Sequence, residues 1–436
     1  MNPRGEPKAV PGVVVAVTDR GWPVHRIIKQ RFSLRSSIIC RSSIHLTRAL
    51  LTASCVFAFC YSAQAAVLPE DRADILYHLY DGGGVTIDGP SLLVRKSIKD
   101  KVSISANYYV DMVSSASIDV LSQGSAYTEE RTEYSTSIDY LADKSIISLS
   151  YANSSESDYE AETVGFSVSQ DFFGDLTTLS LSYAQGNDIV LQNVYQNGQV
   201  VDSIEKGEVL RRRFSFGLTQ ILTKNWIIAF NAESVVDDGF LNNPYRSVRY
   251  FFNDGGNLSV GWQPENYPST RNSDAAALRS MYYLPYRASI RLEGRAFSDS
   301  WGIRAQNYEL RYTHPLNDEL ILEFKARSYD QTGADFYADI FSQPDAFEFM
   351  ARDKELSDFD SKNFGIGLSY EFKDIGFLDK LSASVMWDFM QFNYLNFNDA
   401  TLSRSNGTDP APFNPGQEPA YTFEANVWRV FISGFY

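Results

Sequence analysis

The stretch Lys101–Met112 limits the possible folds more than any other part of the chain. It reads Lys-Val-Ser-Ile-Ser-Ala-Asn-Tyr-Tyr-Val-Asp-Met. Val102, Ile104, Ala106, Tyr108, Val110 and Met112 share one parity. Lys101, Ser103, Ser105, Asn107, Tyr109 and Asp111 share the other. Side chains in a strand point alternately to opposite faces, so this run has one apolar wall and one polar wall. An ordinary globular strand has about five or six residues. A tilted strand of about 9–11 residues crosses a bilayer, and this run is long enough to do so.

The pattern recurs. Expected crossings are Lys101–Met112, Arg131–Tyr140, Lys144–Ala152, Val164–Phe172, Leu176–Ala184, Val209–Ile221, Lys224–Ser234, Ala275–Leu284, Tyr286–Phe297, Ile303–Thr313, Glu319–Asp330, Lys362–Lys373, Leu381–Leu395 and Phe423–Tyr436. Short turns such as Ala142-Asp143, Gly174-Asp175 and Leu222-Thr223 join some of them, as in hairpins. The predicted fold is all-β: a closed antiparallel transmembrane β-barrel of about 14 strands, with 16 within the counting error of such boundaries. Closure is required because an open edge in lipid leaves backbone groups unpaired. A soluble secreted sandwich is the competing fold, but its outward aromatics would need a second sheet to cover them. Tyr108, Tyr140, Tyr183, Trp226, Tyr282, Tyr312, Trp387 and Trp428 are read as an interfacial girdle near strand ends.

Composition narrows the function classes. No apolar run of about 20 residues exists, which excludes a helical membrane protein. Of 39 Lys and Arg and 54 Asp and Glu, nine and two fall in residues 1–65, leaving 30 against 52, a net of −22 for the rest. Such an acidic chain repels phosphate, so nucleic acid is not an expected partner. Cys40, Cys55 and Cys60 all precede residue 66. No disulfide, thiolate metal site or cofactor is therefore expected.

Leu46–Ala65 reads as a secretory signal peptide. Arg41 and Arg48 give a basic n-region, Ala49–Tyr61 a short apolar core, and Ala63-Gln64-Ala65 a cleavage site after Ala65. Residues 1–40 have no clear periodicity. Either the translation start lies downstream, at an alternative codon such as Val24, Leu34 or Leu46, or the n-region is unusually long. Residues 66–100 are expected to form a periplasmic or plug-like segment, with a short helix at Pro69–Tyr80. The glycine run at Asp81–Pro90 is read as a flexible turn. It is not a phosphate loop, because no Gly-Lys-Ser/Thr follows. Ser91–Ile98 is a short first strand or part of a plug. The barrel is expected over 101–436.

Arg72-Ala73-Asp74, Tyr77-His78, Tyr80–Val85, Asp88-Gly89-Pro90 and Val94-Arg95-Lys96 are joined by Ser105–Ser117, Tyr127–Tyr134, Asn153–Tyr159, Ser169–Ser180, Asn243–Tyr250, Tyr283–Arg287 and Phe297–Ile303. Together these stretches resemble DUF3570, an uncharacterised bacterial family known only as a domain of unknown function. The resemblance implies an outer-membrane barrel in a Gram-negative bacterium. It implies no activity, so no functional residues carry over.

Trp428, Val430, Ile432 and the terminal Tyr436 resemble the C-terminal signal read by the barrel-assembly machinery, although such signals more often end in Phe. Outer-membrane lipid, that machinery and periplasmic chaperones are the expected partners. With the C-terminus in the periplasm, the long outer loops are Val113–Glu130, Gln185–Glu208, Val235–Asp274, Gln331–Ser361 and Asn396–Ala420. Gln331–Ser361 carries eight acidic residues from Asp335 to Asp360. It is read as a solvated loop or as a seat for divalent cations, whose hard character suits carboxylate oxygens.

After residue 65 the only histidines are His78 and His314. Placed before the barrel and in a periplasmic turn, they do not support a rim hydrolase, so no enzyme is expected. Charge concentrates instead on polar parities. Arg287, Arg291, Glu293 and Arg295 are followed by Glu309 and Arg311, then by Glu323, Lys325 and Arg327. Arg211, Arg213 and Glu233 form a second group. These rows are read as a lattice that balances lumen charge, or as a filter that selects solutes by sign. The expected function is a channel for small solutes. The alternative is a non-conducting barrel acting as scaffold, adhesin or partner of a surface or periplasmic complex.

Overall fold

A computed structural model describes residues 66–115, 127–196, 199–373, 375–404 and 410–436. The signal peptide, the uncertain start and the cysteines lie outside the described residues. The strands are β1 (Arg72–Gly82), β2 (Val85–Ile98), β3 (Val102–Ser115), β4 (Tyr127–Ala142), β5 (Ser145–Ser155), β6 (Tyr159–Phe172), β7 (Thr177–Gln196), β8 (Gln199–Thr223) and β9 (Trp226–Gly239). They continue with β10 (Ser247–Asp254), β11 (Asn257–Pro264), β12 (Thr270–Tyr283), β13 (Ser289–Asp299), β14 (Arg304–Pro315), β15 (Leu320–Gln331), β16 (Phe359–Phe372), β17 (Lys380–Asn398) and β18 (Ala420–Phe435).

All but β10 and β11 form one closed antiparallel barrel of 16 strands. Neighbours in sequence are neighbours in space, except where β9 meets β12 and where β18 meets β1. Every crossing expected from alternation is present. The two additional strands come from residues 66–100, which correct both the plug and the helix at Pro69–Tyr80. These residues form a hairpin in the wall itself. β1 pairs with β18 from Arg72↔Phe435 to Gly82↔Ala425, and with β2 from Arg72↔Arg95 to Gly82↔Val85. Gly83 and Gly84 have φ of 61° and 76°. Two positive φ values in sequence match the right-handed twist of a two-residue hairpin turn, and glycine adopts them without steric cost.

Burial is inverted relative to a soluble protein. Tyr134, Leu149, Val164 and Phe364 are each more than half exposed, whereas Ser103 and Asp388 are almost fully enclosed. On β3, Ile104, Tyr108 and Met112 point out, while Ser103, Ser105 and Asp111 are buried inside. An apolar outer wall around a polar interior is what lipid on one side and water on the other require. The girdle is only partly where expected. Trp226 and Tyr282 stand opposite each other at the end of the barrel with short turns. Trp387 and Trp428 are paired near mid-strand instead.

The other end of the barrel carries the long loops. Gln185–Glu208, expected as a loop, is mostly strand. β7 and β8 run on as a two-stranded extension after β6 stops at Tyr159↔Val190. Three other loops interlock as a cap. Residues 240–269 contain the β10–β11 hairpin, and 332–358, 399–404 and 410–419 complete it. Tyr250 bridges to Phe341 and Asn266 to Met350. Tyr267, Trp301, Ile303, Ala351 and Leu356 form an apolar core, against which Phe297 packs from the inner face of β13. Tyr337 packs on the buried cluster of Tyr394 and Phe397, which Phe423 also meets from the inner face of β18, so the cap reaches into the mouth.

Candidate functional site: the charged lumen and its cap

Antiparallel register decides which luminal charges meet. Arg291 lies opposite Arg311, and Glu293 opposite Glu309, across β13 and β14. Glu309 then faces Arg327, and Arg311 faces Lys325, across β14 and β15. Across β13, β14 and β15 the ion pairs therefore form diagonally or along one strand, whereas Arg279 and Glu293 meet directly opposite each other. Glu309 binds Arg291, and also Arg311 at 3.3 Å. Arg311 reaches Glu323 at 3.1 Å. Glu293 is held by Arg279 of β12 at 2.6 Å.

On the far side, Lys325 reaches across β16 to Asp388 on β17 at 2.6 Å, and Arg429 of β18 binds the same carboxylate. Gly365 makes that span possible. A Cβ at Gly365 would lie 2.3 Å from Asp388 Oδ1 and 3.1 Å from Lys325 Cε. The cluster thus crosses four strands through a slot left by a missing side chain.

The second group is looser. Arg211 binds Asp237 at 2.7 Å and Asp188 at 3.5 Å. Arg213 and Glu233 are 3.8 Å apart, with 52% and 36% of their side chains exposed. Arg295 is exposed although its parity points inward, so water reaches the lumen there. Arg327 also points inward, with its guanidinium 5.9 Å from the Tyr329 ring.

Arg287 is a correction. It lies in the turn before β13, at a φ of 69°, and pairs with Asp318 at 2.8 Å in solvent. The strand starts only at Ser289, so parity counted from Tyr286 does not apply to it. His78 is also misplaced by the sequence reading. It stands inside the wall on β1, with Nε2 2.8 Å from Asp111 Oδ1 and its ring stacked on Tyr109. His314 lies on β14, with Nδ1 2.8 Å from the Tyr312 hydroxyl. At the C-terminus, Trp428, Val430 and Ile432 point outward. Tyr436 lies past the strand, and its hydroxyl donates to the Arg95 carbonyl at 3.1 Å.

Two of the acids of Gln331–Ser361, Asp339 and Asp353, hold arginines within the cap. Asp339 binds Arg249 and, at 3.0 Å, Arg352. Arg249 also binds Glu418 at 2.5 Å, and Arg246 binds Asp353 at 2.5 Å. Both Arg249 and Arg352 are almost fully buried, so each needs its carboxylates to offset lost hydration. Among the described residues, no three acidic or imidazole groups converge on a point that would hold a metal ion. Glu265 sits at the centre of the cap, taking the Tyr267 hydroxyl and the Arg352 amide. Burial, and then the charge of Asp353, pushes its carboxyl up to about 7 against the pull of Arg246. Near the β5–β6 turn, burial and then Glu129 push Asp158 up to about 7.

Sequence reasoning found the charged rows of β13 to β15 but missed Asp388, Arg429 and the cap network. Asp388 and Arg429 are single charges within otherwise apolar runs. The cap pairs join residues 90 and 169 positions apart.

No curated protein matches this sequence. In fold, the chain is similar to a bacterial polysaccharide outer membrane secretin (7% identity, 85% of this chain and 100% of that one, TM-score 0.45). It is also similar to the siderophore receptor PirA from Acinetobacter baumannii (13% identity, TM-score 0.42), covering 83% of this chain but only 58% of the receptor. A third similar structure is the outer membrane protein opdK from Pseudomonas aeruginosa (8% identity, 84% and 98% coverage, TM-score 0.40). The family described as "Protein of unknown function (DUF3570)" matches residues 121–391, more than half of the chain, and the protein belongs to that family.

Proposed function

We propose that this protein is an outer-membrane channel that passes small solutes through a charged lumen. One observation carries the reading: an apolar outer wall surrounds an interior in which charged groups such as Arg213, Glu233 and Arg295 remain open to water. A structural core would enclose such groups or replace them. The hairpin formed by β1 and β2 supports the reading further, because the segment expected as a plug is part of the wall. An export signal in the first 65 residues and the outward Trp428, Val430 and Ile432 fit delivery to the outer membrane with the turns on the periplasmic side. The proposed role is non-enzymatic: His78, the one imidazole on the inward parity among the described residues, is tied to Asp111 and Tyr109 as part of the wall.

The interlocked cap favours a second reading, a non-conducting barrel that presents its loops to a surface partner. Planar-bilayer recording separates the two. The refolded chain from Ala66 onward is expected to give reproducible discrete steps. Silence from protein shown to be folded by its heat-modifiable gel mobility would exclude the channel.

A further inference from the structure

Along β12 to β18, the luminal bases outnumber the acids placed to meet them. Glu293 is occupied by Arg279, Glu309 by Arg291 and Arg311, Glu323 by Arg311, and Asp388 by Lys325 and Arg429. Nothing is left for Arg295 and Arg327. Among the described residues neither makes an ion pair, although Glu309 stands in register with Arg327. The Nε of Arg327 is buried and makes no hydrogen bond within the chain.

The two arginines line the same patch of the inner wall. Arg295, Asn307 and Tyr329 lie side by side on β13, β14 and β15, and Arg327 is one inward step along from Tyr329. Adjacent strands are about 4.8 Å apart and two residues rise about 6.8 Å, so the Arg295 and Arg327 backbones are about 12 Å apart, within reach of two long side chains. The Arg327 guanidinium lies 5.9 Å from the Tyr329 ring, on the side of the wall that Arg295 faces. That spacing lets two planar forks close on one small oxyanion, with the Asn307 amide between them. Phe297, the next inward residue after Arg295, already packs into the cap. The pair therefore sits directly beneath the cap.

We infer that Arg295 and Arg327 form a binding site for a small oxyanion, a carboxylate or a phosphate, and that the pore prefers anions. The inference rests on the channel reading above. The chain as a whole repels anions, so this local surplus of positive charge is what would draw one through.

The test uses the full chain from Ala66 in planar bilayers, with a potassium chloride gradient and added inorganic phosphate or succinate. The reversal potential should carry the sign of chloride preference, and at least one additive should reduce conductance at millimolar concentration. Arg295→Gln with Arg327→Gln should raise the half-blocking concentration by about tenfold or more and move the reversal potential toward potassium. Lys373→Gln, at an exposed pair on the turn end, should change neither. Block by phosphate alone would identify the phosphate source, and block by succinate alone the carboxylate. If the double Gln variant does not fold, Arg295→Lys with Arg327→Lys should keep the selectivity but weaken the block, because charge stays while the fork is lost. A conducting wild type that prefers cations, or a block untouched by either double variant, overturns the anion site and leaves the channel standing. A silent, folded wild type overturns both.

Discussion

Two stretches of the same wall face the same lumen and are built differently. The middles of β5, β6 and β7 present Ser148, Ser150, Thr163, Gly165, Ser169, Ser180 and Ser182 on the inward parity, opposite the exposed Leu149, Val164 and Leu181. β13 to β18 present Arg291, Glu309, Arg311, Lys325, Asp388 and Arg429. Both are polar enough for a wet interior. A hydroxyl can be satisfied by one neighbour or by water, as in the 3.0 Å contact of Ser169 with Ser180. A charge in a tight row depends on its partner, which depends on the next one along. The first wall is a sum of separate residues, and the second behaves as a unit.

That difference is open to direct attack. Asp388→Ala removes the carboxylate shared by Lys325 and Arg429 and strands two cations. It should cost about 3–5 kcal/mol, against no more than about 1 kcal/mol for Ser169→Ala. Urea midpoints of the detergent-folded protein would measure both, and equal losses would mean that the charged row is not coupled. A methyl group is a gentler probe. Gly365→Ala pushes into an Asp388 carboxylate pinned from two sides and should cost about 1–3 kcal/mol. Gly165→Ala meets the Ser150 hydroxyl at 2.4 Å, and that side chain is free to rotate away. A cost for Gly165→Ala as large as that for Gly365→Ala would break the distinction.

The cap extends the same principle beyond the wall. The Glu265 carboxyl rises from 4.5 to about 7 on folding. A raised carboxyl favours the protonated form in the packed cap. Its contribution is complete below about 4.5 and is lost as pH climbs through about 7. Hydrogen exchange at the β10–β11 hairpin should be faster at pH 8 than at pH 5, after correction for intrinsic rates. Glu265→Gln should flatten that difference. An unchanged pH dependence in the variant would assign the effect to another group, Asp158 first.

The long strands were legible because one parity rule was obeyed over about ten residues at a time. The rule failed at β1 and β2 for local reasons. Glu70, Asp71 and Asp74 mimic the acidic first turn of a helix, and Gly82, Gly89 and Pro90 interrupt the alternation. At Gly89 the backbone makes room for the Val110 carbonyl, 1.8 Å from where a Cβ would stand. Luminal charge was legible by parity, but pairing was not, because it depends on register. A one-residue slip would have turned Arg291 and Glu309 toward lipid. Arg287 was misread for a related reason: parity continues on paper past the point where the strand stops. The cap was visible only as loops. Its contacts join Arg249 to Glu418 and Asp339, and no local pattern announces them.

The seam between β1 and β18 has a kinetic consequence. Every other pairing except β9 with β12 joins strands consecutive in the chain, so those hairpins can zip in order as they are made. The seam joins Arg72 to Phe435, the longest loop the fold must close, and long-range pairings of this kind form slowly. The ring therefore stays open until its final stave arrives, with an 11-residue edge bare on the first one. Whatever escorts this chain to the membrane has that unfinished rim to guard.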